Sequence, residues 1–468
     1  MSEIPALPEP ITTPLRGDLT QGPLGRTLLI FALPQLIGNV LQSLNGSINA
    51  IWVGQLLGDT ALAATASANI LMFLLFALIF GFGMAATVRI GQAWGGHDVI
   101  AARRVMGTAL GLTGAITLIT TVAGIAYADV LLDWLATPGA ARGQALAYLQ
   151  VALIANPLAT FTTMIAMGLR GAGDGATPLR FMILTALLDV ALNPLLIQGW
   201  GPFPALGIAG SAWAMVIATT IGFAGLLIWI YAKDLPLRLR GAELRWLIPA
   251  RAETAYLLSK GLPMGAQMLI ISSAGVVMIG LVNREGLITA AAYGALLQIW
   301  NYIGMPAMAI GGAVSAMVAQ HIGARREDRV DAISRAGALS NLAMTGVMIA
   351  ALVPFDRPVL ELFLGSSSPS VAAALHIQDL AIWTYLPFGV TIVLFGALRA
   401  YGVIYAQLLV LFFAMYVVRL GAYYLLYPSF GADALWYSFM LSSIVSMLLT
   451  MAVYFYAPWR GRMLERIA

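Results

Sequence analysis

The chain has 468 residues, of which 60% are hydrophobic and 10% charged, with a mean hydropathy of +0.87. A soluble domain is about half apolar and about a quarter charged, so the composition excludes one and describes a polytopic membrane protein. The 25 Lys and Arg against 21 Asp and Glu leave a net charge of +4 that gives no reason to invoke nucleic acid, and without cysteine there is neither a disulfide nor a thiolate metal site.

The first 20 residues carry Pro5, Pro8, Pro10 and Pro14 and no apolar core. They are neither a signal peptide nor a span, and residues 1–26 are expected to be a disordered cytoplasmic leader. At about 20 apolar residues per crossing, the spans fall near 27–53, 61–87, 105–127, 143–168, 181–199, 207–232, 255–282, 287–318, 332–354, 377–398, 402–426 and 434–457. The fold class is therefore all-α, with twelve transmembrane helices. Six make an N-lobe over 27–232 and six a C-lobe over 255–457, with a cytoplasmic linker at 233–254 and a cytoplasmic tail at 458–468. Leu237, Leu244, Trp246 and Leu247 suit part of the linker to the membrane surface, and a solvated loop fits the segment equally well.

Twenty-one of the 25 basic residues fall on the N-terminal side, the exceptions being Arg142, Arg284, Arg357 and Arg419. Positive charge marks the cytoplasmic face, so both termini are expected in the cytoplasm and the chain in the inner (cytoplasmic) membrane.

The first span bears Gln35, Asn39, Gln42, Asn45 and Asn49 at steps of four, three, three and four, with Ser43 and Ser47 beside them. Such spacing draws one stripe along a helix. Amides are poor lipid-facing surface, so the stripe should line a water-filled cavity or pack on another polar helix. Gly107 and Gly111 in the third span read as a small-residue contact between helices. Asn156, Thr160 and Thr163 continue the polar pattern on the fourth span.

Asp189 is the acid that stands deepest in a span. Nine residues of helix from Arg180 rise roughly 13 Å, near the middle of a core about 30 Å thick. A carboxylate there costs several kcal/mol unless it is protonated, hydrated or cation-bound, so it is a candidate coupling group. Asn193 follows one turn later on the same face, and Pro194 frees a carbonyl nearby. The second half is polar without a comparable acid. Gln267, Ser272 and Ser273 lie on span seven, Tyr293, Gln298, Asn301 and Tyr302 on span eight, and Tyr385 and Thr391 on span ten. Met264, Met268, Met305 and Met308 suit a surface that accepts varied apolar shapes, or plain packing. Arg419 should pair with Asp379, since an unpaired buried arginine is costly. His97, His321 and His376 are too scattered for a metal cluster, so no metal or cofactor is expected.

The halves repeat. Leu169-Arg170 recurs as Leu398-Arg399 and Pro34 as Pro263, each shifted by 229, and Gly83, Gln92 and Gly95 find counterparts in Gly312, Gln320 and Gly323. Duplicated six-span bundles are the arithmetic of secondary transporters, with sites near the midplane.

Leu33 through Gly58, Leu169 through Asp174 (Leu-Arg-Gly-Ala-Gly-Asp) and Gly207 through Ala212 together resemble the multidrug and toxic compound extrusion (MATE) family, its DinF-like branch in particular. The resemblance covers nearly the whole chain. It implies a V-shaped pair of lobes around a cavity, exporting amphipathic organic cations or drugs in exchange for protons or sodium, and Pro34 as the bend of the first helix. The chain departs from the family at Asn49, where members often carry aspartate, at the reversed order of Asp189 and Asn193, and at Ile271, where some branches carry glutamate. Coupling should then rest on Asp189, Asn193 and Asn49, with sodium possible near Asp189 and about one proton per cycle for one carboxylate. Gln35, Asn39, Gln42, Asn45, Asn156, Thr160, Gln267, Tyr293, Gln298 and Met305 are the expected cavity residues. The expected partners are small amphipathic or cationic substrates and membrane lipid, and the chain should act as a monomer.

Two other readings compete. A flippase for lipid-linked oligosaccharide would place several arginines in its cavity to hold pyrophosphate, and only Arg419 reads as interior. A passive channel would not need a protonatable site. Intramembrane enzyme chemistry needs paired acids or a histidine beside a nucleophile, and neither is present in the spans.

Overall fold

A computed structural model describes residues 17–135, 137–199 and 204–456. Residues 1–16 of the expected leader and the expected tail lie outside the described residues. The described residues form twelve long helical segments. They are α1 (Leu24–Leu57), α2 (Asp59–Gly95), α3 (Val99–Ala126), α4 (Gly139–Gly171), α5 (Ala176–Gln198), α6 (Ile208–Ala232), α7 (Arg251–Arg284), α8 (Leu287–Gly323), α9 (Val330–Leu352), α10 (Ser370–Ala400), α11 (residues 405–430) and α12 (Ala434–Tyr456). By length and hydropathy alone, Tyr405–Tyr456 counts as one 52-residue stretch. At 1.5 Å per residue such a rod would be roughly 78 Å long, more than twice the hydrocarbon core. Gly431, at φ 56°, turns it back on itself, and Arg419 of α11 reaches Ser442 of α12.

The helices form two bundles, α1–α6 and α7–α12. Their turns repeat as well: the left-handed backbone positions Gly58, His97 and Gly173 in the first half match Gly286, Arg325 and Gly402 in the second. The Leu-Arg-Gly-Ala-Gly-Asp run explains one of these turns. Gly173 adopts φ 81° to leave α4, and Asp174 accepts the Thr177 amide at 2.9 Å and its hydroxyl at 2.6 Å as α5 begins.

The bundles meet along a seam at the end that carries the N-terminus. A side chain at Gly95 would overlap the carbonyl of Gln320, and one at Gly323 would overlap that of Gln92. The two glutamines cross in opposite directions. Gln92 Nε2 donates to the Ala400 carbonyl at 2.9 Å, and Gln320 Nε2 donates to the Gly171 carbonyl at 3.0 Å. Leu19 and Thr20, in the expected leader, are buried here rather than disordered: the Leu19 amide donates to Gln320 Oε1 at 2.8 Å, and Arg326 donates to the Thr20 carbonyl at 3.2 Å. Towards the other end the bundles part. Gly46, Gly54, Gly275, Gly280 and Gly294 have no neighbour within 4 Å of where a Cβ would stand.

Two expectations need correction. Gly107 and Gly111 do not receive a helix; they receive the linker, against Trp246 and the Leu247 carbonyl, in a 3-10 turn over Gly241–Leu247. Arg103 holds that turn through the Pro236 carbonyl at 2.6 Å and Glu243 at 2.8 Å. Helices also outrun their hydropathy. α2, α4 and α8 continue past the apolar runs to Gly95, Gly171 and Gly323, since a helix does not end where its side chains turn polar.

Gly95→Val should force the seam apart, because overpacking of this kind costs typically 1–3 kcal/mol. The chain has no cysteine, so a single cysteine at the buried Ala319 reports directly. Its maleimide labelling should be roughly tenfold or more faster in the Gly95→Val background; equal rates would contradict the seam.

Candidate functional site

Two polar regions occupy the interior, and α1 borders both. At about 100° per residue, Gln35, Asn39 and Gln42 stay within about 60° of one another, whereas Asn45 has turned about 80° from Gln35. The amide stripe divides by its contacts and not by angle alone, since Asn49 comes back to about 40° from Gln35. Gln35, Asn39, Gln42 and Ser43 line a cavity of about 580 Å³ between the bundles, while Asn45 and Asn49 turn into the first bundle.

Inside that bundle Asp189 is 3% exposed. Asn45 Nδ2 donates to its Oδ2 at 2.9 Å, and Asn193 Nδ2 donates to its backbone carbonyl at 3.0 Å and its Oδ1 at 3.3 Å. Among the described residues no cationic side chain forms an ion pair with it. The side-chain oxygens of Asn45 and Asn193 are buried without partners, which leaves them available to a proton-bearing group, a water or a small cation. Asn49 stands apart from the carboxylate and accepts a bond from Ser211 of α6 at 3.1 Å. The residue that reaches Asp189 from α1 is one turn earlier than the family pattern suggests.

The cavity draws on both bundles. Gln267, Met264, Met268, Met305 and Met308 line it, with Phe76, Phe80, Trp300, Tyr385 and Phe388 adding aromatic faces. Asn301 Nδ2 donates across it to Ser43 Oγ at 3.1 Å. Five expected cavity residues lie outside its lining: Asn45, which turns to Asp189, and four more. Thr160 bonds Thr117 of α3 at 3.1 Å, Asn156 is buried in the first bundle, Tyr293 packs between Trp300 and Trp436, and Gln298 is exposed. Thr160, Asn156 and Tyr293 share helices with cavity residues but are packed into their own bundles, whereas Gln298, seven residues before Met305, shares its helix face but lies outside the lining.

Arg419 does not pair with Asp379, which is exposed. A π-helical stretch, Phe413–Val418, widens α11 just before it, and its guanidinium donates to Ser442 Oγ at 2.9 Å and stacks 4.2 Å from the Phe439 ring centroid. Sequence reasoning also missed Arg170 and Arg399, which line the cavity from the last turns of α4 and α10. Their exact recurrence at one offset was the available signal, hidden because both were read as loop residues. In the second bundle Asp356 is buried as well, accepting a bond from Gln378 Nε2 at 3.2 Å, while Gln378 Oε1 accepts from Trp300 at 2.7 Å.

A duplicated twelve-helix bundle with a polar cavity between its halves is the architecture of a secondary transporter. The chain belongs to the MatE family, whose profile matches residues 34–195 and again 263–425, so the family pattern itself restarts 229 residues later. It is 31% identical over 444 residues to the probable multidrug resistance protein YoeA of Bacillus subtilis, covering 94% of this chain and 96% of the relative. It is 27% identical over 394 residues to a protein of Shewanella oneidensis named FAD transporter, covering 82% and 84% of the two chains. A solved outward-facing multidrug resistance MATE family transporter of the MOP superfamily superposes with a TM-score of 0.87 at 20% identity, over 97% of this chain and all of that one. The chain is thus a multi-pass membrane transporter of the drug-efflux type, not an enzyme, and family members of this kind use coupling ions as cosubstrates rather than cofactors.

Asn45→Ala removes a donor to a buried carboxylate, a contact worth about 1.5–3 kcal/mol when charged, while Asn49→Ala removes a neutral bond worth about 0.5–1.5. Thermal melts in detergent should rank Asn45→Ala as the less stable protein; the opposite order would contradict the assignment of the α1 partner.

Proposed function

We propose that the chain is a secondary active antiporter that expels amphipathic, drug-like compounds by alternating access, driven by protons taken up at Asp189. One observation carries the reading: a carboxylate 3% exposed, served by Asn45 and Asn193 and paired with no cation among the described residues. Such a group is stable when protonated or cation-bound, so its occupancy can be exchanged across a cycle. Asn49 bonds to Ser211 and does not touch the carboxylate. Sodium is the alternative coupling ion, with the Asn45 and Asn193 oxygens as its added ligands. The relative named as a multidrug resistance protein supports drug-like cargo.

The basic-residue bias supports cytoplasmic termini in the inner membrane. The seam then closes the cytoplasmic side and the cavity faces outward. Lobes 27–232 and 255–457 rock about it, joined by 233–254, with Pro34 and Pro263 as bends inside α1 and α7. One chain encloses the whole cavity, so a monomer suffices. Organic cations have only aromatic faces and amides to hold them there, since among the described residues no carboxylate lines the cavity. The flippase reading gains from Arg170 and Arg399, the cavity arginines it requires.

Proteoliposomes under an imposed pH gradient, with and without sodium, test the antiporter reading on cationic, neutral and anionic fluorescent amphipaths. The wild type should drive uphill efflux of at least one class, and Asp189→Asn should abolish it while remaining folded. Downhill flux alone would indicate a channel, and undiminished efflux by Asp189→Asn would remove that residue from coupling.

A further inference from the structure

The central cavity has two formal charges among its lining residues, Arg170 and Arg399, and both are positive. They are counterparts in the repeat, each in the last turn of a helix that ends at the seam. Their neighbours Gly171 and Ala400 offer the carbonyls that Gln320 and Gln92 grip from the opposite bundle. The two arginines therefore stand on the cavity floor, one from each lobe, where the lobes meet.

Neither is neutralised. Among the described residues no carboxylate lies within 4 Å of either guanidinium. The Nε of each is buried without a partner, and the one bond from Arg170 is a contact of 3.8 Å to the Met182 sulfur. Buried arginine is costly without an anion or acceptors, and a helix C-terminus offsets only part of that cost. Planar guanidinium groups match the geometry of phosphate and carboxylate oxygens. The walls above them are methionine and aromatic, which suits a flat apolar body.

We infer that this cavity binds amphipathic anions, with Arg170 and Arg399 together holding an oxyanion group, a phosphate foremost, beneath an aromatic or apolar body. The inference rests on the transporter reading and names its substrate class. Because the arginines belong to different lobes, a bound oxyanion bridges them at the floor. Asp189 stays in the first bundle, away from the anion, so coupling acid and cargo do not compete for one charge.

The test uses the full chain in detergent and two probes of identical body, riboflavin 5′-phosphate and uncharged riboflavin, read by flavin fluorescence. The wild type should bind the phosphate roughly tenfold to hundredfold more tightly than riboflavin. Arg170→Gln with Arg399→Gln should erase the difference without weakening riboflavin, and the double lysine replacement should retain part of it. Equal affinities in the wild type, full discrimination in the double glutamine protein, or no discrimination in the double lysine protein overturns the inference. Should the glutamine protein not fold, the wild-type comparison and the lysine protein decide. Competition with a soluble aryl phosphate and with phosphatidate in micelles names the source: displacement by either upholds the site, displacement by neither overturns it. Discrimination without uphill transport of either flavin upholds the anion site and counts against the transporter reading. Uphill transport of other amphipaths without discrimination does the reverse.

Discussion

The close approach of α2 and α8 governs the rest of the molecule. Gly95 and Gly323 let each helix lie against the other's backbone, and Gln92 and Gln320 then reach the opposite helix ends. Small residues matter more in a membrane than in water, because lipid is as apolar as a leucine side chain and helices associate through contact and hydrogen bonds. A seam that starts at one end and continues inward through Gly81 against Gly261 and Gly265 leaves the halves free to diverge at the other end, and that divergence makes the cavity. The same contact, opened by rocking, would expose the cavity to the opposite side. The duplicated sequence supplies a second set of half-turns with which to build the reverse arrangement.

Interior charge is distributed with similar economy. Asp189 sits between α1 and α5 in one bundle, held by amides and not by a cation. Arg170 and Arg399 stand on the cavity floor, and Arg419 rests on Phe439 and Ser442. Among the described residues none of the four is neutralised by an opposite charge, although ion pairs would be the simplest way to bury them. A group already paired would have less to gain from a proton or a ligand, so unpaired charge is consistent with exchange.

Much of this was legible in the sequence. Hydropathy gives the twelve crossings, the offset of 229 gives the repeat, and the depth of Asp189 in its span marks it out. What escaped was direction. Spacing at three and four residues identifies a stripe but not which of its amides turns into the first bundle, and the family resemblance named Asn49 where Asn45 makes the contact. Thr160 and Tyr293 lie on the right helices and point the wrong way for the same reason. Hydropathy also ends a span where polarity begins, which put Arg170, Arg399 and Gln92 in loops although the helices continue through them. The pairing of Arg419 with Asp379 failed because a hydroxyl and an aromatic face served the guanidinium instead.

The central claim is that substrate in the cavity and a proton on Asp189 are linked although they occupy different places. Linkage is reciprocal: if protonation weakens substrate binding, substrate binding must expel the proton. The direct measurement is proton release when a transported amphipath is added to purified protein in weakly buffered detergent solution. The account predicts release of about one proton per substrate bound by the wild type, and none by Asp189→Asn at unchanged occupancy. Equal release from the two proteins, or none from the wild type at saturation, would contradict it.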